Sequence, residues 1–312
     1  MTLPNTALGG VQAVPGAAWR ALSLPAREQA YSPSSCIGGN YLPFIQAYVD
    51  QSQAARAGCV ALGAQWHALP YGAQASQRVQ VCVPPVLAAG QAAPGLLVFI
   101  HGGYWQELSA QESLFAAIGC VRHGVAFAAI DYTLAPQASV GEIVAECRAA
   151  LVCLAHAAGR LGFDAGHIVV AGSSAGAHLA AMVAWPGWKP PAGGVAPAVR
   201  ATVLVSGIYE LEPLVGTAIN QALGLDATTA QAHSPAALPL GGFPHSLVVW
   251  GDIETDEFKR QSHAFAGQLV AAQATCQTLQ VAGRNHFDVI LDLADVNTEL
   301  GRRTMAFFNA PR

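Results

Sequence analysis

The chain has 312 residues, of which 53% are hydrophobic and only 11% charged, with a formal net charge of −4. That balance leaves no basic footprint for nucleic acid. No stretch reaches the roughly 18 uninterrupted apolar residues of a membrane-spanning helix, despite a mean hydropathy of +0.36.

In chain order, residues 1–30 read as a loosely structured leader rich in Ala, Pro and Gly. It has no basic region followed by an apolar core, so no secretory signal is expected. One amphipathic helix is predicted over 40–57, with Phe44, Ile45, Tyr48 and Val49 apolar. Residues 78–83 alternate like an edge strand. Next come a strand at 95–100, a helix near 110–122, a strand at 125–130 and a long helix near 139–160. A strand at 167–171, a helix at 174–184 and a strand at 201–206 follow. The segment 207–244 is irregular, with a short helix at 217–223, and is expected to roof a pocket. A strand at 246–250, a helix at 256–272, a strand at 277–282 and a helix at 293–308 close the chain.

This alternation never resets and no low-complexity linker interrupts it. It predicts one α/β domain over 1–312: a mostly parallel twisted sheet with helices on both faces. Residues 1–75 form an N-terminal extension contributing to the cap, and 207–244 a small cap insertion. Charge far below the roughly 25% of an average domain suits such a doubly covered sheet. It also leaves room for an apolar surface patch, either a homodimer interface or a greasy pocket mouth. Seven cysteines without paired spacing fit reduced thiols in a cytoplasmic protein.

The apolar run Ile168-Val169-Val170-Ala171 breaks into Gly172-Ser173-Ser174-Ala175-Gly176 and runs on into an Ala-rich helix. A nucleophilic serine at the tip of a strand-to-helix turn leaves no room for a Cβ on either side, which accounts for the paired glycines. The helix start offers free N–H groups to a developing oxyanion. Upstream, Leu96-Leu97-Val98-Phe99-Ile100 leads into His101-Gly102-Gly103-Tyr104-Trp105. A strand entering His-Gly-Gly is the loop that supplies the second oxyanion donor in α/β-hydrolases. The assigned donors are Gly103 and Ala175, with Gly102 as a third. His101, at a strand end, is read as shaping the loop rather than acting as base.

An acid and then a histidine should follow the serine in chain order. The strand at 246–250 ends in Gly251-Asp252-Ile253-Glu254-Thr255-Asp256-Glu257. Spacing from Gly251 ranks Glu254 first and Asp252 second. Asp256 reads as a helix cap and Glu257 lies on the helix. His286 follows the last strand at a loop. His178, His233, His245 and His263 lack that placement. No His/Cys spacing suits zinc, so neither metal nor cofactor is expected.

Together LLVFIHGGYW (96–105), IDYTLAP (130–136), AGSSAGAHL (171–179), SGIYEL (206–211), ETDEFKRQS (254–262) and NHFDVI (285–290) resemble the kynurenine formamidase (arylformamidase) group of α/β-hydrolases. That group sits within the wider His-Gly-Gly esterase and lipase set. The resemblance runs from about residue 95 to 308. It departs at Ser173, where the group commonly carries His, and at Glu254, where it carries Asp.

The resemblance implies a serine hydrolase that cleaves a small, aromatic amide or ester of the N-formylkynurenine type through an acyl-enzyme. A carboxylesterase or amidase on another small acyl substrate is the alternative, and a non-catalytic binding protein the third reading. Tyr104, Trp105, Tyr132, Tyr209, Phe243 and Phe287 fall in pocket-forming loops. Arg284, Lys259 and Arg260 are the cations nearest the expected pocket, the last two on a solvated helix face.

Overall fold

The computed structural model describes residues 18–85, 94–190, 197 and 199–309, so most of the expected leader lies outside the described residues. After a 3-10 turn at Ala18–Ala21, the first α-helices are α1, Leu24–Ala30, and α2, Leu42–Ala61. Two strands follow, β1 (Gln65–Pro70) and β2 (Arg78–Val83). The α/β alternation then begins with β3 (Leu96–Ile100), α3 (Ala117–Arg122), β4 (Ala126–Ile130) and α4 (Val140–Leu161). It continues with β5 (Ile168–Ser173), α5 (Ala175–Ala184) and β6 (Val199–Val205). Two short helices, α6 (Asn220–Leu223) and α7 (Ala227–Ala232), interrupt the irregular segment, before β7 (His245–Ile253), α8 (Asp256–Ala271), β8 (Cys276–Asn285) and α9 (Glu299–Asn309).

The eight strands form one sheet in the order β1-β2-β4-β3-β5-β6-β7-β8. β1 and β2 are antiparallel to their neighbours and all other pairs are parallel. Successive residues of a strand face opposite ways. Val98, Ile100 and Val170 therefore join the core under α4, α5 and α8. Leu97, Phe99 and Val169 join the core under α3 and α9. β3, β4 and β5 are buried at every residue, which is why they read as continuous apolar runs.

The long helix α4 starts at a capping box, with Ser139 Oγ accepting from Glu142 N and Glu142 Oε2 accepting from Ser139 N. It ends at Gly162, whose φ of +83° only glycine adopts without strain.

Three expectations are corrected. Residues 78–83 are not an edge strand, because β1 pairs outside them. β1, Gln-Trp-His-Ala-Leu-Pro, is short, mostly solvated and ends in proline, so its pattern is weak. The helix expected near 110–122 is a 3-10 turn at Gln111–Ser113 followed by α3 alone. The helix expected at 293–308 starts at Glu299, after a separate 3-10 turn at Val289–Ala294.

The topology fixes where a site forms. The chain leaves β3 for β4 on one side, and β5 returns to pair on the other, with Ile100 beside Gly172. Ligands bind outside the carboxyl ends of strands at such a switch point. The His-Gly-Gly loop and the serine turn both emerge there.

Candidate active site

Ser174 sits at φ 56°, ψ −121°, between the end of β5 and the start of α5. For a non-glycine residue this backbone is strained. The turn is packed too tightly to relax. A Cβ on Gly172 would lie 2.2 Å from Gly176 O, and one on Gly176 would lie 2.0 Å from Ile100 O. The paired glycines are thus a steric requirement of the turn. Ser174 N donates to Val205 O on β6 at 2.9 Å, which anchors the tip.

The neighbouring loop touches this turn. A Cβ on Gly102 would lie 2.7 Å from Ser173 O. Gly103 has φ +90°, and its carbonyl accepts from Gln106 N and Glu107 N. The Gly103 and Ala175 N–H groups donate to no protein acceptor among the described residues. His101 is 1% exposed and turned inward. Its Nδ1 donates to Gly102 O at 2.9 Å and its ring stacks on Tyr132 at 4.1 Å.

Glu254 is held from two sides. Its Oε1 accepts from Ser206 Oγ and from Gly251 N, both at 2.6 Å. Its Oε2 lies 3.0 Å from His286 Nδ1. A carboxylate only accepts, so the Nδ1 hydrogen is fixed there and Nε2 is left to exchange a proton. Phe258 packs edge-on against the His286 ring at 4.4 Å. The His286 loop is pinned by Asn285 N donating to Asp288 Oδ1 at 2.6 Å and Phe287 N donating to Asn285 Oδ1 at 2.8 Å.

The rival carboxylates go elsewhere. Asp252 Oδ1 is buried without a partner. Asp256 lies in the first turn of α8 and is not its cap; Thr255 occupies that position. Glu257 pairs with Arg260 and accepts from Tyr31 OH.

Ser174, His286, Gly102 and Gly103 line one cavity of about 580 Å³. Its walls include Phe99, Phe115, Tyr104 and Phe287, and its roof Tyr31, Tyr41 and Tyr48 from the N-terminal segment. The roof is tied down by side chain to backbone bonds: Tyr104 OH donates to Tyr31 O, and Tyr48 OH to Phe287 O. Thr217, Ala218 and Ile219, from the segment expected to be the cap, also line it.

Four expected pocket residues lie elsewhere, because their rings turn into the core. Trp105 is fully buried and its Nε1 donates to His178 Nδ1 at 3.3 Å. Tyr132 stacks on His101, and Tyr209 stacks on Phe265 at 4.2 Å. Phe243 packs edge-on to the same Phe265. The cations are also misplaced by the sequence reading. Arg260 is not solvated but buried between Glu257 at 2.8 Å and Glu210 at 3.2 Å. Arg284 pairs with Asp292 at 2.6 Å. Neither they nor Lys259 line the cavity.

Two residues have supporting roles that the sequence did not reveal. Ser206, at φ 51°, orients Glu254. Its place in the SGIYEL segment is the signal that was available. His178 clamps three segments together, since its Nε2 donates to His233 O at 2.7 Å while Nδ1 accepts from Trp105. Burial pulls the His178 pKa down to about 3 and keeps it neutral. Among the described residues no three His, Cys, Asp or Glu side chains are grouped to hold a metal. No described helix is long and apolar enough to cross a membrane.

Comparison with known proteins agrees with this architecture. A family model described as BD-FAE matches residues 86–189. Kynurenine formamidase of Salmo salar is 32% identical over 237 residues, 73% of this chain and 76% of the relative. Kynurenine formamidase of Danio rerio is 28% identical over 294 residues, 89% and 94% of the two chains. The crystal structure of EstE1, a carboxylesterase from a metagenomic library, superposes with a TM-score of 0.66 at 21% identity, covering 88% of this chain and 99% of its own. That likeness carries the fold, an α/β-hydrolase.

Proposed function

The chain belongs to the kynurenine formamidase family of α/β-hydrolases, and from that premise we propose that it hydrolyses a small aromatic formamide through an acyl-enzyme on Ser174. The observation that carries this reading is the Glu254–His286 pair, 3.0 Å apart, opening on the cavity that Ser174 lines.

In the proposed reaction His286 Nε2 takes the proton of Ser174 Oγ as the oxygen attacks the carbonyl carbon. Glu254 holds the Nδ1–H and stabilises the imidazolium. The N–H groups of Gly103 and Ala175, with Gly102 as a third, bind the tetrahedral oxyanion, each lowering the barrier by about 3 kcal/mol. His286 then gives the proton to the leaving arylamine, and water releases the acyl group as formate. Aromatic walls and a volume of about 580 Å³ suit a single-ring substrate; small-molecule sites typically span ~300–1,000 Å³.

The test compares kcat/KM for N-formylkynurenine, p-nitrophenyl acetate and p-nitrophenyl butyrate, with Ser174→Ala as the blank. A clear preference for the formamide is expected. Ester turnover with negligible formamide cleavage would replace the reading with a carboxylesterase on another acyl group.

A further inference from the structure

The His-Gly-Gly loop holds a shape that its own backbone disfavours. Gly103, Tyr104 and Trp105 stand in succession at φ +90°, +50° and +60°. Side chains rarely adopt this left-handed backbone, so two aromatic residues in it need a hold from outside the loop. Each has one. Tyr104 OH donates to Tyr31 O in the roof. Trp105 turns into the core, where its O accepts from Ala135 N at 2.8 Å and its Nε1 donates to His178 Nδ1 at 3.3 Å. The indole and imidazole meet edge-on, with centroids 5.0 Å apart and planes at 83°.

His178 is tied in turn to the serine. It lies one turn into α5, and its backbone N donates to Ser174 O at 3.2 Å. Its Nε2 hydrogen goes to His233 O at 2.7 Å. A neutral imidazole carries one N–H, and burial keeps this ring neutral. Nδ1 is therefore a lone pair that receives the Trp105 N–H. Among the described residues this is the one hydrogen bond between residues 101–108 and α5. Gly102, packed on Ser173 O, limits how closely the loop approaches the serine turn. The Trp105–His178 bond keeps it from drawing away.

We infer that Trp105 and His178 are positioning residues: the bond between them sets where the Gly103 N–H stands relative to Ser174. The inference rests on the proposed acyl-enzyme on Ser174, and not on which acyl group is transferred. Gly103 is two residues from Trp105, and a Cβ on it would lie 2.3 Å from Glu107 O. A loop this tight passes a shift of the indole on to the Gly103 N–H. A displaced donor serves the oxyanion poorly and ground-state binding about as well as before, so the loss falls on kcat and not on KM.

The test removes the bond and leaves the fold. Trp105→Phe keeps a buried ring and takes away its N–H. His178→Asn is too short for His233 O but offers an amide oxygen where Nδ1 stands. kcat and KM are measured on N-formylkynurenine and on p-nitrophenyl acetate, per active site titrated with an aryl phosphonofluoridate. The inhibition constant of an arylboronic acid is measured beside them, since its adduct on a serine places an oxygen where the oxyanion develops. Trp105→Phe should lower kcat about ten- to hundred-fold, less than the loss of a whole donor, with KM within about two-fold. The boronic acid should weaken in parallel. The pH profile of kcat/KM should stay in place, because Glu254 and His286 keep their contacts. His178→Asn should stay within about three-fold of wild type in kcat, since the Trp105 N–H keeps an acceptor.

Wild-type kcat per titrated site in Trp105→Phe, however far its Tm falls, would reduce the pair to packing and overturn the inference. A loss confined to KM, or one that His178→Asn shares in full, would overturn it too. An enzyme that cleaves the ester and leaves the formamide, with the Trp105→Phe loss seen on the ester, would overturn the formamide reading and keep the inference. No turnover of either substrate would overturn both.

Discussion

At the carboxyl ends of the strands, Gly102, Ser174 and Glu254 each follow a strand that is buried over most of its length. Their geometry is set by backbone at neighbouring strand ends, with Gly172 packed on Gly176 O, Gly176 on Ile100 O and Gly102 on Ser173 O, and by the Gly251 N–H on the Glu254 carboxylate. The roof over them is built differently. Arg27 reaches Val215 O, Tyr31 reaches Glu257, and Tyr48 reaches Phe287 O, across 188, 226 and 239 residues of sequence. One region is specified by backbone sterics between adjacent strand ends, the other by side chains of the N-terminal segment that reach across to distant loops. On the proposed mechanism, the strand ends set the rate of the chemical step and the roof sets what enters. Substitutions should therefore split between kcat and KM by region.

Ser174→Ala is the sharpest test at the strand ends. It should cut kcat by roughly 10⁴-fold or more while the thermal midpoint holds; retained turnover would remove the serine from the mechanism. Glu254→Gln should cost about 10³- to 10⁴-fold, and Asp252→Asn little, measured as kcat on one substrate. The reverse ranking would move the acid to Asp252. Ser206→Ala removes a 2.6 Å bond to Glu254, so kcat should fall about ten-fold, as for a lost hydrogen bond to a buried charge, with KM unchanged.

The same division explains what could be read in the chain. The serine turn was legible because both its glycines are demanded by backbone packed against them, Gly172 by Gly176 O and Gly176 by Ile100 O, and Glu254 because its distance from Gly251 is fixed by one bond. Trp105, Tyr132 and Tyr209 were placed in the right loops but on the wrong side. An aromatic at a strand end has a core face and a pocket face, and sequence order does not choose between them. Ser206 depends on β6 lying beside β7, and the buried Arg260 on Glu210 arriving from another segment. β1 escaped notice because an edge strand need bury little.

A smaller effect sharpens the contrast through pH. His178 joins the serine helix to the His-Gly-Gly loop and to the segment expected to be the cap. Its folded pKa of about 3 lies below the ordinary 6.5. Below pH 6.5 the unfolded chain takes up a proton that the folded one refuses. Stability is therefore full above that pH and falls by up to about 1.4 kcal/mol per unit on acidification. His178→Asn should flatten the loss between pH 6.5 and 4, followed by denaturant midpoints; an unchanged slope would contradict a buried neutral ring. Smallest of all, Tyr48→Phe frees Phe287 O at the roof. It should raise KM about two- to five-fold, as for one neutral hydrogen bond, and leave kcat nearly unchanged. A kcat loss as large as that of Ser206→Ala would erase the distinction between the two regions.

The most direct measurement is intact-protein mass after treatment with an aryl phosphonofluoridate, followed by peptide mapping and residual activity. The expected result is one adduct per chain, on Ser174, with turnover lost in proportion and no adduct on Ser174→Ala. Labelling elsewhere, or full activity after Ser174 is labelled, would contradict an acyl-enzyme on this serine.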